Sequence, residues 1–502
     1  MPENRKNDRI FPLLSFARGV VMLKKIRGIL FITILFLTVP PAAGSGENCF
    51  SILAGKGATR DGAVYFAHNE DDPLPQIVNF MKVPHLSHPA GEVVTLKNGA
   101  TLPQVPETAS FIWLQMPGEE FADSYMNEYG VTISSNQCQS RVKKADLTDG
   151  GIGYWLRRLM AERAHSAREA VEIGGRLVEQ FGYHSSGRTY AIADTEEAWL
   201  LSVVQGRLWA AKRVPDGQVA VIANCYTIGE INLSDTANCL GTPTIISYAV
   251  RKGWYDPKVD GTFNFRKAYS APKATHSIRN LARRWRGITV LSAKDWNLRN
   301  PLPFSFSPAR KLGVPDLMAL LRDHFEGSQF ETPASFNHGN PHANYVKRIC
   351  SDTTQYGFVA QLRRDLPVDM GAILWLAPRR PCIQPFVPVY CGIRAFPHGF
   401  ARKSFDMAIA SQFTADPARY TATGDLAYWS FFEQAMRIDA DYANKIGAIR
   451  TRRDQVEETL MGAVPGFEKK ALKLLKKDRE KGQAALTRFS AIGLKELQKL
   501  NQ

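Results

Sequence analysis

The chain has 502 residues, with 63 Lys+Arg against 48 Asp+Glu for a formal charge of +15, and 44% of its residues are hydrophobic. That apolar content excludes wholesale disorder, and 38 Gly with 29 Pro are too few for a collagenous or low-complexity chain. Length alone fits two or three domains or one large enzyme fold.

Charge collects at the two ends. Residues 1–48 carry 7 Lys+Arg against 3 Asp+Glu and residues 445–502 carry 14 against 7, which leaves the middle nearly balanced. The C-terminal run Lys469, Lys470, Lys473, Lys476, Lys477, Arg479 and Lys481 has neither interleaved aromatics nor a recognition motif. It reads as a solvated helix face, and no nucleic-acid partner is expected.

At the N-terminus, Met22 reads as the start of a secretory leader: Lys24, Lys25 and Arg27 form a positive region, residues 29–39 (ILFITILFLTV) an apolar one, and Ala42-Ala43-Gly44 a run of small residues. The apolar run is about half the ~20 residues that span a bilayer, so no membrane anchor is expected after cleavage. Gly46-Glu47-Asn48 ahead of Cys49 does not suit lipid attachment. Cleavage after Gly44 or Ser45 leaves a propeptide of three or four residues ending at Cys49, and the chain is expected to be secreted or periplasmic.

Seven cysteines in an exported chain suggest one free thiol and up to three bridges, with Cys225–Cys239 and Cys382–Cys391 as local pairs. Small buried thiols are the equal alternative.

Downstream, residues 49–55 (CFSILAG) and 63–68 (AVYFAH) flank Asp61-Gly62 and predict a hairpin opened by Cys49. A turn at Asn127 to Gly130 precedes a strand at 131–135, and two helices follow from about 153 to 181, the second with a capping box of Ser166 and Glu169. Strands at 189–193, 197–204, 208–213 and 218–223 predict a series of antiparallel hairpins. A helix near Pro315-Asp316, a strand at 371–377 and helices from about 425 to 500 complete the reading. Strands in blocks and helices in blocks indicate a layered α+β architecture rather than a doubly wound parallel sheet.

The run Cys49-Phe50-Ser51-Ile52-Leu53 with Gly55-Lys56, then Thr59-Arg60-Asp61-Gly62 and His68-Asn69-Glu70-Asp71, resembles the opening of the cysteine-nucleophile dipeptidases (dipeptidase A and its secernin relatives). Asn127 to Val131, Asp194 to Trp199, Trp209 to Pro215, Val221 to Asn224, Ile349 to Leu362 and Trp375 to Pro388 continue the likeness in order over roughly residues 49–440. The resemblance implies an N-terminal-nucleophile (Ntn) hydrolase with a four-layer αββα sandwich of two antiparallel sheets. Residues 1–48 then form leader and propeptide, 49–440 the peptidase domain, and 441–502 a basic, mostly helical extension.

What the resemblance implies chemically is that Cys49 supplies both the attacking sulfur and, through its own freed α-amino group, the base. An α-amine titrates near ~7.7 to 8 whereas an amide nitrogen is no base, so propeptide removal is the activating step. Asn224 and Asn136 are the implied oxyanion donors, with ordinary backbone-bonding asparagines as the alternative. Asp71 follows the second strand, where its carboxylate could orient the Cys49 amine; turn chemistry or an oxygen cluster is the other reading. His68 departs from the arginine that related amidases carry at its place, and Arg348 is the substitute cation.

Other chemistries lack their motifs. There is no His-Glu-x-x-His, and His338 and His342 straddle Gly339 and Pro341, which predicts a loop rather than a helical zinc pair. There is no Walker loop, and Ser185-Ser186-Gly187 is no nucleophile elbow. No metal and no cofactor are expected. The reading is therefore an exported dipeptidase acting on small peptides through a thioester on Cys49. An acylase of the penicillin V or bile-salt type and a noncatalytic binding protein on the same scaffold are the alternatives. Leu472, Leu474, Leu475 and Leu486 in the extension fit either a packing helix or a homo-oligomer contact.

Overall fold

The structure is a computed structural model that describes residues 49–72, 77–116, 124–342, 346–411, 414, 421–422 and 424–501. The leader and propeptide assigned to residues 1–48 lie outside the described residues.

The predicted hairpin forms from β1 (Phe50–Ala54) and β2 (Val64–Asp71), paired antiparallel with Ser51 opposite His68. Strand β2 runs three residues further than its apolar pattern suggests, because Asn69, Glu70 and Asp71 find buried partners and extend the ladder. The hairpin lies inside a six-stranded sheet in the order 219–222, β1, β2, 354–362, 372–378, 387–390. Every pairing in it is antiparallel. A second antiparallel sheet of eight strands runs 239–241, 209–213, 198–206, 183–193, 132–137, 124–127, 111–115, 79–83. The strands at 79–83, 111–115, 354–362 and 387–390 were not predicted as strands; all their residues are buried apart from Lys82 and Gln361, so they show no polar alternation.

The two sheets face each other. Ser51 on β1 reaches Asn136 on the opposing sheet, so the Cys49, Ser51 and Leu53 side of the strand points between the layers. Helices α1 (Trp155–Arg163) and α2 (Ala167–Phe181) cover the outer face of the larger sheet. The expected cap is present: the Ser166 hydroxyl accepts from the Glu169 amide at 3.1 Å. The Glu169 carboxylate reaches back to the amide of His165 rather than to that of Ser166.

On the outer face of the smaller sheet lie the helices Ile278–Ser292 and Val314–Leu321. The result is a four-layer αββα sandwich of two antiparallel sheets. The long helices Tyr442–Lys477 and Arg479–Lys499 pack on one another and on the strand 387–390, burying Leu475 and Leu486. Arg363 clasps Glu468 through two hydrogen bonds of 2.9 and 2.7 Å, and Arg322 pairs with Glu457.

Of the two alternatives, the structure has the small buried thiols, and neither local pair is bridged. All seven cysteines are free thiols and all are buried. Cys391 donates to the Asn127 carbonyl at 3.2 Å, whereas Cys382 stands beside Cys350 and two histidines. Cys239 sits at the sheet edge, paired through its backbone with Lys212.

Candidate active site

Cys49 immediately precedes β1 and is fully buried. Its sulfur donates to Glu70 Oε1 at 3.0 Å and lies 3.8 Å from the Asp71 carbonyl oxygen. Residues opposite one another in an antiparallel pair share a face, so Ser51, His68 and Glu70 line the space between the sheets while Asn69 and Asp71 point toward the helices.

Between the sheets runs one continuous hydrogen-bonded chain. Glu70 Oε2 meets His68 Nε2 at 2.8 Å, His68 Nδ1 meets the Ser51 hydroxyl at 2.8 Å, and that hydroxyl donates to Asn136 Oδ1 at 2.7 Å. Because Ser51 gives its proton to Asn136, it can only accept from His68, which fixes a proton on Nδ1. The ring packs against both Phe66 and Phe358, which also touch each other. His68 is thus linked to Cys49 through Glu70.

On the helix side a cation meets the backbone of Cys49. Arg283 donates from Nη1 to the Cys49 carbonyl at 2.8 Å and from Nη2 to Asn224 Oδ1 at 3.0 Å and Asn280 Oδ1 at 2.9 Å. Asn280 in turn donates to the Asn224 carbonyl at 2.9 Å. Burial pulls the Arg283 guanidinium below its usual range, and the neighbouring Asp71 and Cys49 oppose that shift.

The helix can approach this closely because Gly287 lies one turn beyond Arg283: a Cβ there would stand 2.9 Å from Val221 Cγ1 and 3.1 Å from Phe50 Cζ. Glu70 thus meets Cys49 at the sulfur and Arg283 meets it at the carbonyl oxygen.

Asp71 is fully buried, and its Oδ1 accepts hydroxyls from Ser351 at 2.5 Å, Thr354 at 2.9 Å and Thr353 at 3.2 Å. Burial nevertheless raises its carboxyl to about 7, against the pull of those hydroxyls and of Arg283. Asn136 and Asn224 share one feature. The Nδ2 of each is buried and has no acceptor among the described residues, although the Oδ1 of each is engaged. Two amide donors idle near the start of β1 are what an oxyanion site requires before substrate arrives.

Arg348 is not the cation beside the thiol. It donates to the Val346 carbonyl at 2.9 Å and to Thr332 Oγ1 at 2.5 Å, with its guanidinium 5.0 Å over the Phe325 ring. Its place is taken by Arg283, which lies on a helix that sequence reasoning did not predict.

With the geometry described, comparison with known proteins identifies the scaffold. Residues 48–451 match Peptidase family C69. The chain belongs to that family. Among curated proteins, it is 26% identical over 368 residues to a probable dipeptidase of Salmonella dublin, spanning 70% of this chain and 82% of the relative. It is 25% identical over 437 residues to a probable dipeptidase B of Lactococcus lactis, spanning 82% and 88%.

Among solved structures, a penicillin V acylase from Agrobacterium tumefaciens aligns at 12% identity and a TM-score of 0.31, over 66% of this chain and 82% of that one. A mutant conjugated bile acid hydrolase from Clostridium perfringens aligns at 12% and 0.30, over 66% and 89%.

In this C69 chain the residues missed from sequence are Ser51, Glu70, Asn280, Arg283 and Ser351. For Arg283 a signal existed. Asn280, Arg283, Gly287 and Leu291 form a buried stripe at helical spacing, but two of the four are polar and Arg-Arg-Trp-Arg reads as a solvated face.

Proposed function

We propose that this C69 peptidase is a dipeptidase whose nucleophile is Cys49, exposed as the first residue when residues 1–48 are removed. Its α-amine takes the thiol proton, and the sulfur attacks the scissile carbonyl. The resulting oxyanion takes hydrogen bonds from Asn224 Nδ2 and Asn136 Nδ2. As the C–N bond breaks, the ammonium returns its proton to the leaving amine, leaving a thioester on Cys49. Water, deprotonated by the same amine, then releases the acid and restores the thiol. Arg283 fixes the Cys49 carbonyl, and Asp71 on the same side is placed to hold the amine.

The observation that carries this reading is the pair of buried amide nitrogens of Asn136 and Asn224, without acceptors among the described residues, flanking a strand that Cys49 immediately precedes. Relatives named as probable dipeptidases support small peptides as substrates. Export is proposed from the leader-like residues 22–44 alone.

The test is hydrolysis of a dipeptide panel by wild type, Cys49→Ser and Cys49→Ala. Both variants should fold and lose activity by several orders of magnitude, and acid quench of the wild type should trap a thioester on the peptide bearing Cys49. Full activity in Cys49→Ala would falsify the assignment. Cleavage of acyl amides without turnover of any dipeptide would replace the substrate class and keep the nucleophile.

A further inference from the structure

A second cluster of chemically active side chains lies outside the nucleophile site. His324, His342, Cys350 and Cys382 are all buried, and one ligand atom from each falls within 4.8 Å of all the others. His324 Nε2 stands 3.2 Å from His342 Nε2, which is 3.3 Å from Cys382 Sγ. A tetrahedral ion with about 2.0 Å bonds to nitrogen and about 2.3 Å bonds to sulfur separates its ligands by roughly 3.3 to 3.8 Å. We propose that His324 Nε2, His342 Nε2, Cys350 Sγ and Cys382 Sγ bind one structural, borderline-soft divalent cation, of which zinc(II) is the common example.

The outer contacts point the same way. His324 Nδ1 faces Glu326 Oε1 at 3.0 Å, and His342 Nδ1 faces Asp439 Oδ1 at 2.9 Å. Arg380 Nη1 also stands 3.1 Å from His342 Nδ1, and the two Nε2 atoms face one another across 3.2 Å. That separation fits two nitrogens at adjacent corners of one tetrahedral coordination shell. Carboxylates behind each imidazole are the outer-shell arrangement that orients histidine ligands.

Binding displaces one proton from each thiol, and two thiolates with two neutral imidazoles neutralise a dipositive ion. Four protein ligands, buried with Ile383, Ala435, Ile438 and Tyr442, complete a tetrahedral shell, so the ion is structural rather than catalytic.

Its location gives it a purpose. The four ligands come from the loop after helix Val314–Leu321, from residue 342, and from segments on either side of the strands 354–362 and 372–378. Asp439 brings in the C-terminal helices, where it also pairs with Arg380. Ser351, next to Cys350, is the hydroxyl 2.5 Å from Asp71, and the Ile349 carbonyl accepts from Asn69 at 2.9 Å. The ion thus pins the segment that forms the wall behind Asp71.

Full-length protein, purified under reducing conditions without chelator, is assayed for metal by plasma mass spectrometry. It is then stripped with phenanthroline and titrated with cobalt(II). About one zinc per chain is expected, with intense ligand-field and thiolate charge-transfer bands from tetrahedral cobalt. Cys350→Ser and Cys382→Ser should abolish the charge-transfer band. Glu326→Gln, which leaves all four ligands in place, should weaken cobalt affinity about 10- to 100-fold. Metal-free protein whose reduced apo form gives only weak octahedral cobalt spectra would overturn the proposal, and so would a Cys350–Cys382 disulfide in an alkylated digest. The wild-type stoichiometry and spectrum decide the matter even if a cysteine variant fails to fold.

Discussion

Asn224 offers the sharpest separation between chemistry and architecture, because its two side-chain atoms have different employment. Oδ1 accepts from Arg283 at 3.0 Å, while Nδ2 has no acceptor among the described residues. Asn224→Ala removes both atoms. Loss of an oxyanion donor costs about 10²- to 10³-fold in kcat, or about 2.7 to 4 kcal/mol. The lost acceptor costs stability far less than a fully orphaned cation, since Arg283 Nη2 keeps Asn280 at 2.9 Å and Nη1 keeps the Cys49 carbonyl at 2.8 Å. One charged hydrogen bond is worth about 1.5 to 3 kcal/mol, and its shared geometry places this one at the low end.

Asn224→Asp supplies the control: it retains an oxygen for Arg283 but has no N–H to donate. Measuring kcat and KM on a dipeptide, with thermal melting in parallel, should show both variants losing kcat to a similar extent while KM moves little and Asn224→Asp stays folded. Recovery of most of the activity in Asn224→Asp would mean that the residue matters only as an anchor for Arg283, and the oxyanion argument would fail.

Three further outcomes follow from the same geometry. With the Asp71 carboxyl raised to about 7, the fold favours its protonated form, so the stability this contributes is present below about pH 4 and is lost as pH rises through about 7. Asp71→Asn should therefore melt closer to wild type at pH 5 than at pH 8, where it gains relative to wild type; it should also flatten a rise in kcat/KM near pH 7, and an unchanged profile would remove Asp71 from the amine. Gly287→Ala forces a methyl to within 2.9 Å of Val221 and should cost about 1 to 3 kcal/mol in denaturant melts together with a fall in kcat as Arg283 is displaced; a neutral result would mean the helix is free to shift. Ser166→Ala deletes the cap on α2, remote from Cys49, and should lower stability by about 1 kcal/mol with kcat unchanged.

The hairpin that follows Cys49 was legible because its turn chemistry and apolar pattern are local, and the same holds for the Ser166 cap. The strands at 79–83, 111–115 and 354–362 were less so, since strands buried on both faces lose the alternation that announces them. Asn136 and Asn224 could be nominated only through family likeness; their idle nitrogens become visible once the partners of Oδ1 are known. Arg283 and the pairing of His342 with His324 were illegible for a different reason. Each depends on residues distant in sequence, Arg283 lying 234 positions from the carbonyl it holds. Pattern reading also takes an arginine-rich helix or a loop histidine for surface, so His342 was weighed against His338, its sequence neighbour, rather than against its spatial one.

Of all these measurements, the most direct is the N-terminal residue of fully active protein, read by intact mass and by sequential degradation. The account requires that Cys49 come first, with a free amine, and that specific activity rise in step with the fraction of chains so processed. Active enzyme that still carries residues ahead of Cys49, or whose amine at that position is blocked, would contradict it.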